Sequence, residues 1–199
     1  MKGLLLKDFL VITKQLKIFL LVIPIMALIG GTSMSALAIL LGAVLPMTAI
    51  AYDERSKWIE LAVMMPYSKK ELVINKYLLG YSCMFGAAVL VVLGQFIVKT
   101  ITKEYMGESI QMLIFAIIGG LIFIAVNTPI LFKYGSEKGR FVFIIAMALI
   151  GASGSILKGI GADALGKIPN ISPIFFLGLA VVMNMISIVI SIGIKLKDE

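Results

Sequence analysis

The stretch IFLLVIPIMALIGGTSMSALAILLGAVLPMTAIAY, residues 18–52, carries no charged side chain over 35 positions. As one straight helix it would measure roughly 52 Å, against a bilayer hydrocarbon core of about 30 Å. It therefore has to turn back on itself. The turn signal is Gly30-Gly31-Thr32-Ser33-Met34-Ser35, where small and hydroxyl residues punctuate an otherwise apolar run. The stretch reads as one span ending near Gly31 and a second over residues 36–51.

Working outward, four further segments of spanning length lie between charged clusters, at 77–98, 110–132, 141–157 and 174–194. The expected fold is an all-α integral membrane protein: six transmembrane helices in a single domain over residues 1–199. Upstream of the first span, Leu5, Phe9, Ile12 and Leu16 share one helical stripe, and Lys7 and Lys14 are expected on the opposite side. Residues 1–17 thus read as an interfacial helix leading into the membrane. This stripe is too long for the n-region of a cleaved signal peptide.

Composition supports the same solvent. Residues of the AVILMFWYC set make up 60% of the chain and charged residues only 15%, and the mean hydropathy is +1.07. Soluble domains reach about 45–50% apolar even with glycine counted. With no histidine, catalytic triads, histidine zinc sites and histidine proton relays are excluded. No catalytic residue, metal site or resident cofactor is expected. The single cysteine, Cys83, sits in an apolar run and reads as a small core residue. Of the 18 lysines and arginines, only Lys99, Lys103, Lys158 and Lys167 fall on the side opposite the termini. That bias places both termini in the cytoplasm and explains the net charge of +7 without any nucleic-acid partner.

The connection at 53–76 is the most specified part of the chain. Residues 53–62 read as a short helix with Trp58, Leu61, Ala62 and Met65 at helical spacing, ended by Pro66. Ser68 and Glu71 then form a capping box, with Tyr67 and Leu72 spaced for a hydrophobic staple. The third long helix therefore starts before the membrane and is expected to project from it or bend near Gly80 or Gly86. A compact helix over 53–66 that offers a tryptophan and alternating charges is a docking knob for a soluble partner. Asp53, Glu54, Arg55, Lys57, Trp58 and Glu60 are the expected contact residues.

The string Tyr52-Asp53-Glu54-Arg55-Ser56-Lys57-Trp58, followed by Met65-Pro66-Tyr67-Ser68-Lys69-Lys70-Glu71 and Lys76-Tyr77, resembles the loop of type-2 ABC exporter permeases. These are small six-span subunits of bacterial-type cytoplasmic membranes. The resemblance implies that 53–66 is the coupling helix seated in a separate ABC ATPase, which would bind the ATP and magnesium. It also implies a permease dimer, built from a second copy of this chain, as the translocation path. The short length is similar to exporters of amphipathic peptides such as phenol-soluble modulins. Between spans five and six, residues 151–173 hold five glycines and two prolines, a composition suited to a re-entrant segment. The resemblance implies an extracellular gate there, with Ser153, Ser155, Lys158 and Asp163 as its polar residues.

Within that segment GADALGKI, residues 161–168, imitates a phosphate-binding loop, but Ile168 stands where a magnesium-binding hydroxyl is required. No nucleotide site is expected in this chain. Nor does any span carry an ionisable residue at its middle, so the energy for transport is expected from a partner. Isolated groups such as Gln95, Asn127 and Asn184 make no polar path, and the 12 methionines suit an apolar or amphipathic cargo. Two other readings remain at this point: a substrate-capturing subunit of an ATPase-linked importer, and a pore or immunity protein that works without an ATPase.

Overall fold

A computed structural model describes residues 2–29, 31–65, 68–102, 107–159 and 173–197. The described elements are α1 (Lys2–Ile29), α2 (Gly31–Arg55), α3 (Trp58–Val63), α4 (Lys69–Thr102), α5 (Gly107–Gly159) and α6 (Pro173–Lys197). Among the described residues there is no strand. Four helical segments among the described residues are long and apolar enough to cross a membrane: Leu37–Arg55, Lys69–Val98, Leu113–Gly139 and Phe175–Ile194. Residues 3–13 and 16–28 of α1 would together form a fifth, bent by 69°. The remaining expected span, 141–157, is helical and belongs to α5 beyond a break at Gly135.

The helices alternate in direction, as close-packed small residues show. Gly42 of α2 lies so near α4 that a Cβ there would meet the Ala87 Cβ at 2.7 Å, and one on Gly80 of α4 would meet Pro46 of α2 at 2.9 Å. Gly94, further along α4, abuts Ala27 near the end of α1. So α1 and α4 run one way while α2 returns between them. Small residues let helix backbones approach, which is how apolar helices gain packing energy where lipid is as apolar as they are. α4 is one continuous helix; Gly80 and Gly94 serve this close approach, while Gly86 faces open space. The core gathers Ile39, Val73, Tyr77, Val91 and Ile124 from α2, α4 and α5.

The apolar stripe of the N-terminal segment exists, but it faces the bundle. Ile12 is fully buried with Leu45, Ala49, Leu79 and Cys83, and Leu5, Phe9 and Leu16 pack against that group. Leu6 and Leu10 remain exposed. The bend in α1 follows Thr13, whose Oγ1 donates back to the Phe9 carbonyl at 2.8 Å, an arrangement that bends helices.

Two other expectations changed in detail. The short helix expected over 53–62 is divided: residues 53–55 form the last turn of α2, and α3 begins only at Trp58. Lys57 between them is left-handed (φ 50°, ψ 32°), which reverses the chain. The capping box is formed as read: the Glu71 N–H donates to Ser68 Oγ at 3.2 Å, and the Ser68 N–H donates to Glu71 Oε2 at 3.1 Å. Pro66 and Tyr67, the expected helix stop and staple, lie outside the described residues.

Candidate functional site

At the end of the bundle that carries α3, four charged side chains interlock. The Asp8 Oδ2 accepts from Asn75 Nδ2 and from Lys76 Nζ, each at 2.7 Å. Lys7 Nζ lies 2.9 Å from Asp8 Oδ1 and also pairs with Asp53. Lys76 Nζ closes the ring at 2.5 Å from Asp53 Oδ2. Asp8, Asp53, Asn75 and Lys76 are all buried. Carboxylates and ammonium groups alternate, so each buried charge faces two of opposite sign. That is the condition under which desolvated ions are tolerated, and removing one member leaves its partners uncompensated.

Two further contacts lie beside this ring. Lys7 Nζ sits 4.5 Å above the Trp58 ring, a cation–π contact. Glu54, the next residue after Asp53, reaches across to α5, where its Oε2 accepts the Ser136 N–H at 2.7 Å. A cavity of about 290 Å³ opens beside these groups, lined on its polar side by Lys7, Asp8, Asp53, Glu54 and Asn75 and closed by Trp58, Tyr134 and Phe132.

The six expected docking residues therefore separate into two sets. Asp53 turns inward, and Glu54, though exposed, is engaged with α5, so both belong to the footing of α3. Trp58 is half-buried on Lys7. Arg55 and Lys57 are exposed, and the exposed apolar residues around them are Leu61 at 51%, Met64 at 85% and Met65 at 40%. Glu60 lies in α3. Of the expected gate residues, Ser153, Ser155 and Lys158 lie on the helical backbone of α5, away from the ring in sequence. Asp163, the rest of the gate segment to residue 172 and the phosphate-loop imitation lie outside the described residues.

Lys7, Asp8, Asn75, Lys76 and Gly135 were not foreseen as site residues, and Lys7 was expected only as a cation on the side of the helix opposite its apolar stripe. The signal in the sequence was Asp8 itself, the only acidic residue before Asp53 and one flanked by lysines in an apolar segment. A lone carboxylate in such a place needs a buried cation.

Further along α4 a neutral polar seam joins three helices. Tyr77 Oη bonds Ser187 Oγ at 2.6 Å and Ser191 Oγ at 2.8 Å, while Ser187 Oγ donates to the Ala125 carbonyl at 2.5 Å. Tyr81 Oη donates to Asn184 Oδ1 at 2.8 Å, and Asn184 Nδ2 reaches the Leu121 carbonyl at 3.1 Å. Asn184 thus joins α6 to both α4 and α5. Among the described residues, no group of three or more histidine, cysteine, aspartate or glutamate side chains is placed to hold a metal ion.

The family model described as ABC-2 family transporter protein matches residues 3–197. No curated protein sequence and no solved structure matches the chain. With several apolar helices, a charged loop-bearing end and a family match over almost the whole length, the chain belongs to the ABC-2 family of transporter proteins, as a multi-pass membrane permease of the kind generally partnered by an ABC ATPase.

Proposed function

We propose that this protein is the permease half of an ATP-driven exporter of amphipathic or hydrophobic peptides, with α3 as the element that docks into the ATPase. The observation that carries this reading is α3 itself: a short helix between two long apolar ones, exposing Leu61, Met64 and Met65 beside Arg55 and Lys57 while its base is held by Asp53, Glu54 and Trp58. An apolar centre rimmed by basic groups suits a partner groove with an apolar floor and acidic edge. On this reading the α3 end and both termini face the cytoplasm, and ATP and magnesium bind to the partner only. Two copies of the chain form the path, and the gate with Ser153, Ser155, Lys158 and Asp163 lies at the opposite end.

The cargo assignment rests on what the seam leaves over. Tyr77, Tyr81, Asn184, Ser187 and Ser191 are engaged with one another and with backbone carbonyls. A polar solute would need partners of its own along the way. Apolar surface is plentiful: Phe85, Val89, Leu93 and Phe96 on α4 and Phe175, Val182, Met185 and Val189 on α6 are exposed. Such surface can meet lipid, a second copy, or the apolar face of a peptide helix.

Co-expression with the ATPase tests the docking. Arg55→Glu combined with Met64→Asp changes two exposed side chains, and should leave the permease monodisperse in detergent while lowering copurified ATPase at least about tenfold, as expected when central interface residues are lost. Full-yield copurification by that variant would overturn the assignment. In the reconstituted complex, amphipathic helical peptides should raise ATP hydrolysis and sugars or amino acids should not; stimulation by a small hydrophilic solute alone would refute the cargo.

A further inference from the structure

We propose that Glu54 is a positioning residue that ties the docking loop to a hinge in α5 at Gly135, so that movement of α3 by its partner is passed into the second half of α5. This rests on the reading of α3 as the docking element.

The hinge is visible in the backbone. Gly135 interrupts α5 with φ 79° and ψ 171°, a conformation that only glycine adopts at little cost. The helix restarts at once, and a restarted helix presents N–H groups with no carbonyl four residues behind them. The Ser136 N–H is one of these. Ser136 is 5% exposed, so solvent does little to satisfy it. Its acceptor comes from 82 residues away in the sequence, the Glu54 carboxylate at 2.7 Å. A carboxylate at a helix start forms a charge-assisted bond and also meets the positive end of the helix dipole.

The fit is specific to this pair of residues. A Cβ on Gly135 would stand 2.6 Å from Glu54 Oε1, so the carboxylate occupies the space that any other residue at 135 would fill. Glu54 lies in the last turn of α2, and only Arg55, Ser56 and the left-handed Lys57 separate it from α3. Its neighbour Asp53 secures the other side of the loop to α1 and α4. α3 therefore stands on two feet of different kinds. The Asp53 foot is fastened by two lysines deep in the ring. The Glu54 foot rests on a break in a helix, where φ and ψ can change without loss of an interior hydrogen-bond ladder. Displacement of α3 is resisted at the first foot and transmitted at the second.

The test compares Glu54→Ala with Glu54→Gln, which keeps an oxygen to accept the Ser136 N–H. In the permease alone, hydrogen exchange at the Ser136 amide should be about tenfold faster or more in Glu54→Ala and close to wild type in Glu54→Gln, a readout that needs no ATPase. In the co-expressed complex, Glu54→Ala should still copurify the ATPase in full and keep its basal hydrolysis, yet lose about tenfold or more of the stimulation by amphipathic peptide, with Glu54→Gln restoring most of it. Unchanged exchange at Ser136 would remove the clamp. Unchanged stimulation in Glu54→Ala would remove the transmission role, and loss of the ATPase from that variant would make Glu54 a docking contact instead. If wild-type permease copurified no ATPase, the docking reading would fail while the exchange result still judged the clamp.

Discussion

The charged ring at the α3 end and the neutral seam that begins one residue further along α4 fasten that helix with opposite kinds of group, the ring to α1 and α2 and the seam to α5 and α6. The ring uses Lys7, Asp8, Asp53 and Lys76, all from the ends of helices. The seam uses hydroxyls and one amide, from Tyr77, Tyr81, Asn184, Ser187 and Ser191, along the length of α4 and α6. A charge at the middle of a membrane costs several kcal/mol, whereas a hydroxyl that finds a carbonyl costs little. The chain places these ions toward the α3 end of the bundle and its neutral groups further along α4 and α6. The difference also sets what breaks each assembly: a hydroxyl removed leaves partners that re-pair with backbone, while an ion removed leaves a buried charge.

Three substitutions sharpen that contrast. Asp53→Ala should have the largest effect, about 3 kcal/mol or more, because Lys7 and Lys76 would then share Asp8 alone in a buried site. Thermal unfolding in detergent measures it against Arg55→Ala, two residues away and exposed, which should stay within about 0.5 kcal/mol of wild type. Equal losses from the two would mean that the ring does not hold the bundle.

Gly135→Ala should come next, at about 1–3 kcal/mol, because it forces a side chain into a glycine-only backbone conformation. Its Cβ would also displace the Glu54 carboxylate. The same unfolding assay reads the loss, and combination with Glu54→Ala should cost less than the two separately, since the clash disappears with the carboxylate. Strict additivity would argue against direct contact between the two positions.

Tyr77→Phe should have the smallest effect of the three, about 1 kcal/mol, the scale measured for interhelical hydrogen bonds in membranes. It removes one hydroxyl that serves both Ser187 and Ser191 but leaves Ser187 its bond to the Ala125 carbonyl. A loss as large as that of Asp53→Ala would erase the distinction between ring and seam.

Much of the fold was legible because it follows from local chemistry. The apolar stretch at 18–52 had to turn, and α1 ends at Ile29 where α2 begins at Gly31, although residues 32–35 of the expected turn are helical. The Ser68–Glu71 box was readable from two residues three apart, and it formed. The stripe Leu5, Phe9, Ile12 and Leu16 was readable as amphipathic. Its partner was not, because the same periodicity serves a bilayer surface or a neighbouring helix equally well.

The site was less legible, and the reason is sequence distance. Asp53 and Lys57 look alike as loop charges; that one is buried and the other exposed depends on Lys7 and Lys76 arriving beside Asp53 from other helices. Lys76 reads as an orientation signal until Asp8, 68 positions earlier, is set against it. The break at Gly135 is no more conspicuous in sequence than the helical glycines at 119 and 120. What the sequence alone determined was the solvent, the turns and the caps, since these depend on residues within one or two helical turns. The tertiary structure alone decided which charges turn inward and which glycine breaks its helix, because both are settled by groups brought within hydrogen-bonding distance only when α1, α2, α4 and α5 pack.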